Sequence, residues 1–344
     1  MMVRVVTVDD IQNLVRKVTL NTFFKKLIER LEYDYSRWHE FEKIPRIANH
    51  YPFGVIELMP TSDDDYYAFK YVNGHPLNPG ENKQTVVATG MLADVATGYP
   101  VMMSEMTMLT ALRTAATSVL ASKYLARKDS TCFGLVGTGA QSEFQLLAHK
   151  AIFDITDVYY FDTDPAAMKK FGKNMASQSL RLHPCKNAED VAKNSDIITT
   201  ATAAKYQAII LELDWVRPGT HINGVGGDCP GKTEMDPAIM EKAKIVVELF
   251  EQTKHEGEIQ NGFEDKVHAE LWELVDTSKK GRETDEEITL FDSVGFALED
   301  YSVLRLVYGM VEEFHIGHIM DMVPDMADPK DLYSVCVSRT EHVG

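Results

Sequence analysis

Cysteine is scarce in this 344-residue sequence. Cys132, Cys185, Cys229 and Cys336 are its four, and no two of them form a Cys-x-x-Cys pair. Neither a zinc knuckle nor a redox dithiol is indicated, and four free thiols in a reducing compartment are expected. Basic residues are also few, 35 against 52 acidic ones, for a formal net charge of −17. That field repels phosphate backbones and no basic patch interrupts it, so no nucleic-acid partner is expected. No apolar run reaches the ~18 residues that read as a membrane span. The opening MMVRVVTVDD lacks a long apolar segment and carries Asp9 and Asp10 early, unlike a secretory or transit peptide. A soluble, cytoplasmic protein is the expectation. With 44% hydrophobic and 25% charged residues, the composition excludes a disordered, collagen-like or disulfide-stapled chain.

The length leaves room for two domains of roughly 150 residues. Residues 3–8 read as a short strand, followed by a helix capped by Asp9 or Asp10. Segments 54–59, 67–72 and 85–92 are rich in β-branched and aromatic residues, with turn signals such as Asn73-Gly74 and Pro79-Gly80 between them. They predict a sheet-rich front region. From 107 to 126, Leu109, Leu112, Ala116, Val119, Leu120 and Tyr124 recur at helical spacing without glycine or proline. This predicts one long helix, with Arg113 in its second turn. Strands and helices then alternate: strand 131–136, helix 140–150, strand 158–161, a helix opening at Pro165, and strands at 196–200, 220–224, 245–249 and 288–291. Alternation of this kind predicts an α/β fold with a parallel sheet covered on both faces. Segment 252–287 is polar and reads as helices with exposed loops. The tail with Pro324 and Pro329 is expected to pack back on the front region.

Gly137-Thr138-Gly139-Ala140-Gln141-Ser142 follows the apolar strand and opens a helix. Gly137 permits a tight turn, and Gly139 lacks the Cβ that would block a pyrophosphate from the helix N-terminus. Asp162, at the end of the next strand and 20 residues after Ser142, stands where an acid meets adenosine ribose hydroxyls and disfavours a 2′-phosphate. NAD is therefore expected over NADP. The plainer alternative is a glycine turn plus an aspartate that caps the next helix.

Gly224-Val225-Gly226-Gly227-Asp228 follows another predicted strand. Its glycines are expected to let backbone approach a cofactor, with Asp228 as a general base and then acid. The alternative is a turn in which Asp228 caps a helix near 231–233. Arg46, Lys70 and Arg113 are cations among apolar or small residues, suited to a carboxylate or phosphate. Alternation places Lys70 on the strand face opposite Phe69 and Tyr71. Glu57, an acid in an apolar run, needs a partner, either a substrate ammonium or Lys70. His315 and His318 find no third ligand, so no metal is expected. The methionines of 102–108 read as adaptable packing.

Four blocks, 69–76 (FKYVNGHP), 137–144 (GTGAQSEF), 225–234 (VGGDCPGKTE) and 291–300 (FDSVGFALED), resemble the ornithine cyclodeaminase/mu-crystallin family, over residues from about 35 to about 335. The resemblance implies a Rossmann NAD-binding domain, 129–314, and a mixed α+β substrate-binding and dimerisation domain, 1–128 with 315–344, in a homodimer. It implies tightly held, recycled NAD and the conversion of L-ornithine to L-proline and ammonia. Carried over by position, Arg46 and Lys70 would bind the ornithine carboxylate, Asp228 would be the catalytic acid/base, Val294 would lie beside the substrate, and Glu57 would stand near the active site. Thr85, Arg113, Ala140, Gln141, Asp162 and Thr202 would line the NAD site, as would Asn223, Val225, Lys232 and Ser293. Ser142 in place of a third glycine agrees with the family. The alternatives inside it are a lysine cyclodeaminase, an amino-acid dehydrogenase, a ketimine reductase and a non-catalytic mu-crystallin-like binding protein.

Overall fold

The computed structural model describes residues 2–203 and 208–337. Strands β1 (Met2–Val6), β2 (Glu42–Lys43), β3 (Ile47–Tyr51), β4 (Gly54–Ser62), β5 (Tyr66–Gly74), β6 (Ala88–Asp94) and β7 (Pro100–Glu105) form a first, mixed sheet. The β4–β5–β6–β7 meander is antiparallel, while β1 joins β7 in parallel. Alternation along β5 turns Ala68, Lys70 and Val72 inward and leaves Tyr67 and Tyr71 exposed, as the period of two requires.

A second sheet holds β8 (Cys132–Val136), β9 (Asp157–Phe161), β10 (Arg181–Pro184), β11 (Ile197–Thr200), β12 (His221–Gly224), β13 (Lys244–Val247), β14 (Val267–Glu270) and β15 (Thr289–Asp292). All its pairings are parallel, in the order β10-β9-β8-β11-β12-β15-β13-β14. The order turns back between β8 and β11, the switch point where an open parallel sheet leaves a crevice beyond its strand ends. The chain then returns to the first sheet as β16 (His318–Asp321), antiparallel on β1. Of the tail, β16 packs on the front region in this way, while residues 322–337 are mostly exposed; Met1 and 338–344 lie outside the described residues.

The helix Thr107–Leu125 joins the two layers, touching β6 on one side and β12 and β15 on the other. Three of its buried hydroxyls return to carbonyls one turn back, Thr117 to Arg113 (2.9 Å), Ser118 to Thr114 (3.1 Å) and Ser122 to Ser118 (2.8 Å). In a helix buried nearly all round, these bonds offset the cost of taking the three hydroxyls out of water. The helix Ala297–Phe314 lies across β4, β5 and β6, so its acidic first turn meets the inward side of Lys70. No helix among the described residues is long and apolar enough to cross a membrane.

Two local expectations need correction, and one strand was not anticipated. The first helix, Val8–Val18, is capped by Thr7, whose side chain accepts from the Asp10 N–H while Asp10 returns to the Thr7 N–H; Asp10 completes the capping box instead of serving as the cap. The short strand β10 had no periodic signal to predict it. Segment 252–287 holds the expected helices, Phe250–Glu256 and Leu271–Val275, but also β14, and its acids Glu256 and Glu258 are buried.

Candidate functional site

The first glycine loop turns off β8 at the switch point. Gly137 has φ +97°, and a Cβ there would lie 2.5 Å from the Ala201 carbonyl oxygen, so both conformation and space require glycine. At Gly139 a Cβ would meet nothing within 4 Å; the loop presents bare backbone to open space. The helix Ser142–Ile152 begins immediately after, with Ser142 buried and its hydroxyl donating to the Gly139 carbonyl (2.8 Å). Buried Gln141 Oε1 lacks a hydrogen-bond partner among the described residues. Asp162 Oδ2 accepts from the Thr138 N–H (2.6 Å) and hydroxyl (3.1 Å). The next helix, Pro165–Met175, is capped by Asp164, not Asp162, which removes the plain capping alternative. An open glycine backbone at a helix start, with a half-buried acid 20 residues on, fits a dinucleotide's pyrophosphate and ribose.

The second loop has a different construction. A Cβ on Gly226 would fall 2.1 Å from Glu234 Oε1, and one on Gly227 would fall 2.4 Å from Glu258 Oε1. These glycines admit the protein's own buried carboxylates, which corrects the expectation that they exist to let a cofactor approach. Glu258 in turn accepts the Glu234 and Met235 N–H groups (2.8–3.0 Å), and burial lifts its pKa to about 7. Thr202 donates its N–H (3.1 Å) and its hydroxyl to Glu234 Oε1. Asp228 ends this loop with its side chain 52% exposed, accepting from Lys232 Nζ at 3.2 Å. The next helix starts at Pro237 under an Asp236 cap, so Asp228 caps none near 231–233.

The three candidate cations are buried. Arg46 Nη1 meets both oxygens of Glu57 (3.2 Å each), its Nε lies 3.1 Å from Glu256 Oε2, and its Nη2 donates to the carbonyls of Val294 (2.5 Å) and Gly295 (2.7 Å). Burial disfavours this cation, but Glu57, Glu256 and Asp228 together raise its pKa. Glu57's partner is therefore Arg46 and not Lys70. Lys70, 1% exposed, donates to Asp300 Oδ1 at 2.9 Å. Its burial, with Arg113 nearby, lowers its pKa to about 8 against the pull of Asp300. Arg113 pairs with Glu299 (2.5 Å) and Asp300 (3.2 Å). Arg46, Lys70, Arg113, Glu57, Val294 and Asp228 are thus drawn into one charged neighbourhood.

Other candidates are placed differently. Asn223 is fully buried, its amide reaching Ser122 (3.3 Å) and His149 (3.4 Å) while His221 lies 3.1 Å from its oxygen. Burial pulls the two histidines down to about 4 and about 3, so this network is neutral. Val225 continues the sheet by donating its N–H to Thr200 (3.0 Å), and the Ser293 hydroxyl donates to Glu248 (2.7 Å). The Thr85 carbonyl accepts the His75 N–H (2.8 Å). Sequence reasoning missed Glu248, Glu256, Glu299 and Asp300. Glu299 and Asp300 had a visible signal, two acids opening an apolar helix in the 291–300 block; Glu248 and Glu256 had none beyond charge.

Residues 8–314 match the model of the ornithine cyclodeaminase/mu-crystallin family. An ornithine cyclodeaminase of Agrobacterium fabrum is 48% identical over 334 residues, 97% of this chain and 94% of that protein. Among solved structures, a lysine cyclodeaminase studied for its recognition of L-lysine, L-ornithine and L-2,4-diaminobutyric acid superposes with a TM-score of 0.91 at 30% identity, covering 97% of this chain and 99% of its own. An archaeal alanine dehydrogenase dimer with bound NAD gives 0.87 at 34% identity, over 94% and 100%. A matched family model across most of the chain, and relatives alike over nearly their full length, establish that this chain belongs to the ornithine cyclodeaminase/mu-crystallin family.

Proposed function

We propose that this chain is an enzyme that binds NAD on its first glycine loop and converts L-ornithine into L-proline and ammonia. The observation that carries the reading is a cluster of buried cations, Arg46, Lys70 and Arg113, in the field of Asp228 beyond the carboxyl ends of a parallel sheet. A buried cluster of this kind suits the carboxylate of an amino acid. The 48% identical relative, named for that reaction, supports the choice of substrate.

The residues divide the work. Gly139, Gln141 and Asp162 would hold the dinucleotide, with Thr202, Asn223, Val225, Lys232 and Ser293 around it. NAD held there would supply the acceptor, and in its reduced form the donor, of a hydride at the substrate's α-carbon. Arg46 and Lys70 hold the substrate carboxylate. Because Arg46 is already engaged by Glu57 and Glu256, the incoming carboxylate displaces one of them and leaves it beside the ammonium groups. Asp228 takes the proton of the α-ammonium and later protonates the departing nitrogen; its exposure lets it exchange protons with solvent. With the carboxylate clamped, the δ-amine folds back onto the α-carbon, a ring closure that gains from being intramolecular.

The dimer belongs to the same proposal. Ile47, Leu58 and Tyr71 are exposed and lie opposite one another across β3, β4 and β5, an apolar stripe suited to a second copy. The domain division at 129 and 315 also remains part of this reading.

The test is purified protein with L-ornithine and NAD⁺, following proline, ammonia and NADH together. Equal proline and ammonia without lasting NADH is the expected result. Sustained NADH would favour a dehydrogenase on the same scaffold. L-lysine belongs in the same assay, since one methylene is worth only about 1–3 kcal/mol of discrimination.

A further inference from the structure

Glu248 is fully buried and has no part in the chemistry above. It follows β13 directly, and because Val247 lies opposite Asp292 in the register with β15, its side chain sits beside the segment 293–295. Its two oxygens accept three donors from that segment: the Ser293 hydroxyl (2.7 Å) and Gly295 N–H (3.1 Å) on Oε1, and the Val294 N–H (3.0 Å) on Oε2. The carbonyl side of this segment faces Arg46, whose Nη2 donates to the Val294 and Gly295 carbonyls; the 294–295 peptide is held on both sides, its N–H by Glu248 and its C=O by Arg46. Gln252 reinforces this, donating to the Gly295 carbonyl (2.7 Å) and accepting the Arg46 N–H (3.1 Å). Gly295 has φ +80°, and a Cβ there would lie 2.6 Å from Arg113 Nη1.

We propose that Glu248 is a positioning residue: by gripping the N–H side of 293–295 it aims the two carbonyls that hold Arg46 in place for the substrate carboxylate. The inference rests on the reading of Arg46 as that carboxylate's partner. An arginine beside two carboxylates, Glu57 and Glu256, has alternative hydrogen-bonding arrangements, and two fixed carbonyls select one of them. Three acceptor contacts require a group with no hydrogen to donate, so an amide in place of this carboxylate sets an N–H against an N–H. Burial and Glu299 raise the Glu248 pKa to about 7 while these donors oppose the shift.

The experiment compares wild type, Glu248→Gln and Glu248→Asp by proline formation from L-ornithine and by hydrogen–deuterium exchange at the amides of Val294 and Gly295. Glu248→Gln is expected to raise the ornithine KM about ten-fold, the scale of one lost bond to a charged group. kcat should stay within about three-fold, and the two amides should exchange about ten-fold faster. Glu248→Asp, which keeps the acceptors on a shorter arm, should fall between. An unchanged KM, a raised KM without faster exchange, or kcat falling as far as KM rises would each overturn the proposal. If wild type makes no proline, the ornithine reading fails, and the clamp stands or falls on whether exchange accelerates in Glu248→Gln.

Discussion

The two glycine loops end strands separated by a single strand in the parallel sheet, β8 and β12, and as sequence they read alike: a strand, a pair of glycines, then a polar residue. In the fold they use the missing Cβ for opposite ends. At Gly139 the vacancy opens on space, leaving backbone bare for a ligand. At Gly226 and Gly227 it is filled by Glu234 and Glu258, which arrive from residues further along the chain. Glycine marks a close approach but does not say by what. In the proposed reading the second loop's chemistry falls to its last residue, Asp228, while its glycines serve the internal packing beneath.

That contrast can be broken or sharpened by substitution. The largest expected effect is at the tip of the second loop: Asp228→Asn should lower turnover about 10³-fold, within the range for a lost general acid–base, with NAD affinity kept. Steady-state kinetics beside a fluorescence titration decides, and near-wild-type turnover would remove Asp228 from the mechanism. Gly226→Ala should destabilise the ligand-free protein by about 1–3 kcal/mol through overpacking against Glu234, seen as a fall in Tm of several degrees. Gly139→Ala should leave the ligand-free Tm unchanged and weaken NAD about ten-fold. If the two alanine variants behave alike, the distinction between the loops is lost.

Smaller effects refine the picture. Asp162→Ala should weaken NAD about three- to ten-fold, as for one or two hydrogen bonds, and leave NADP binding unchanged; equal losses for both cofactors would mean that Asp162 does not meet the ribose. Lys70 gives a pH signature. With its pKa lowered to about 8, its ammonium is charged below that pH and neutral above, so attraction for a carboxylate fades on the alkaline side. The ornithine KM should rise as pH climbs past about 8 in wild type and rise less in Lys70→Arg, because arginine keeps its charge. Parallel profiles would place the carboxylate elsewhere.

Much of this architecture was legible in the sequence because it depends on local periodicity. The buried helix Thr107–Leu125, the strand–loop–helix around Gly137 and the inward Lys70 of β5 all follow from spacing and side-chain type. The partners of the charged residues were not legible. Arg46 finds Glu57 because a hairpin sets Ala48 opposite it in β3 and β4. It finds Glu256 through the helix Phe250–Glu256, more than 200 residues on. Lys70 finds Asp300 because the helix Ala297–Phe314 lies across its sheet. Long-range pairings of this kind have no spacing rule, so a sequence shows a buried charge's need for a partner without naming it.

The central claim is that hydride is lent and returned within one active site. It is tested most directly with L-ornithine carrying deuterium at the α-carbon. The account predicts proline that keeps deuterium at its α-carbon, with no label entering water. Proline lacking the label, or label released to solvent during turnover, would contradict it.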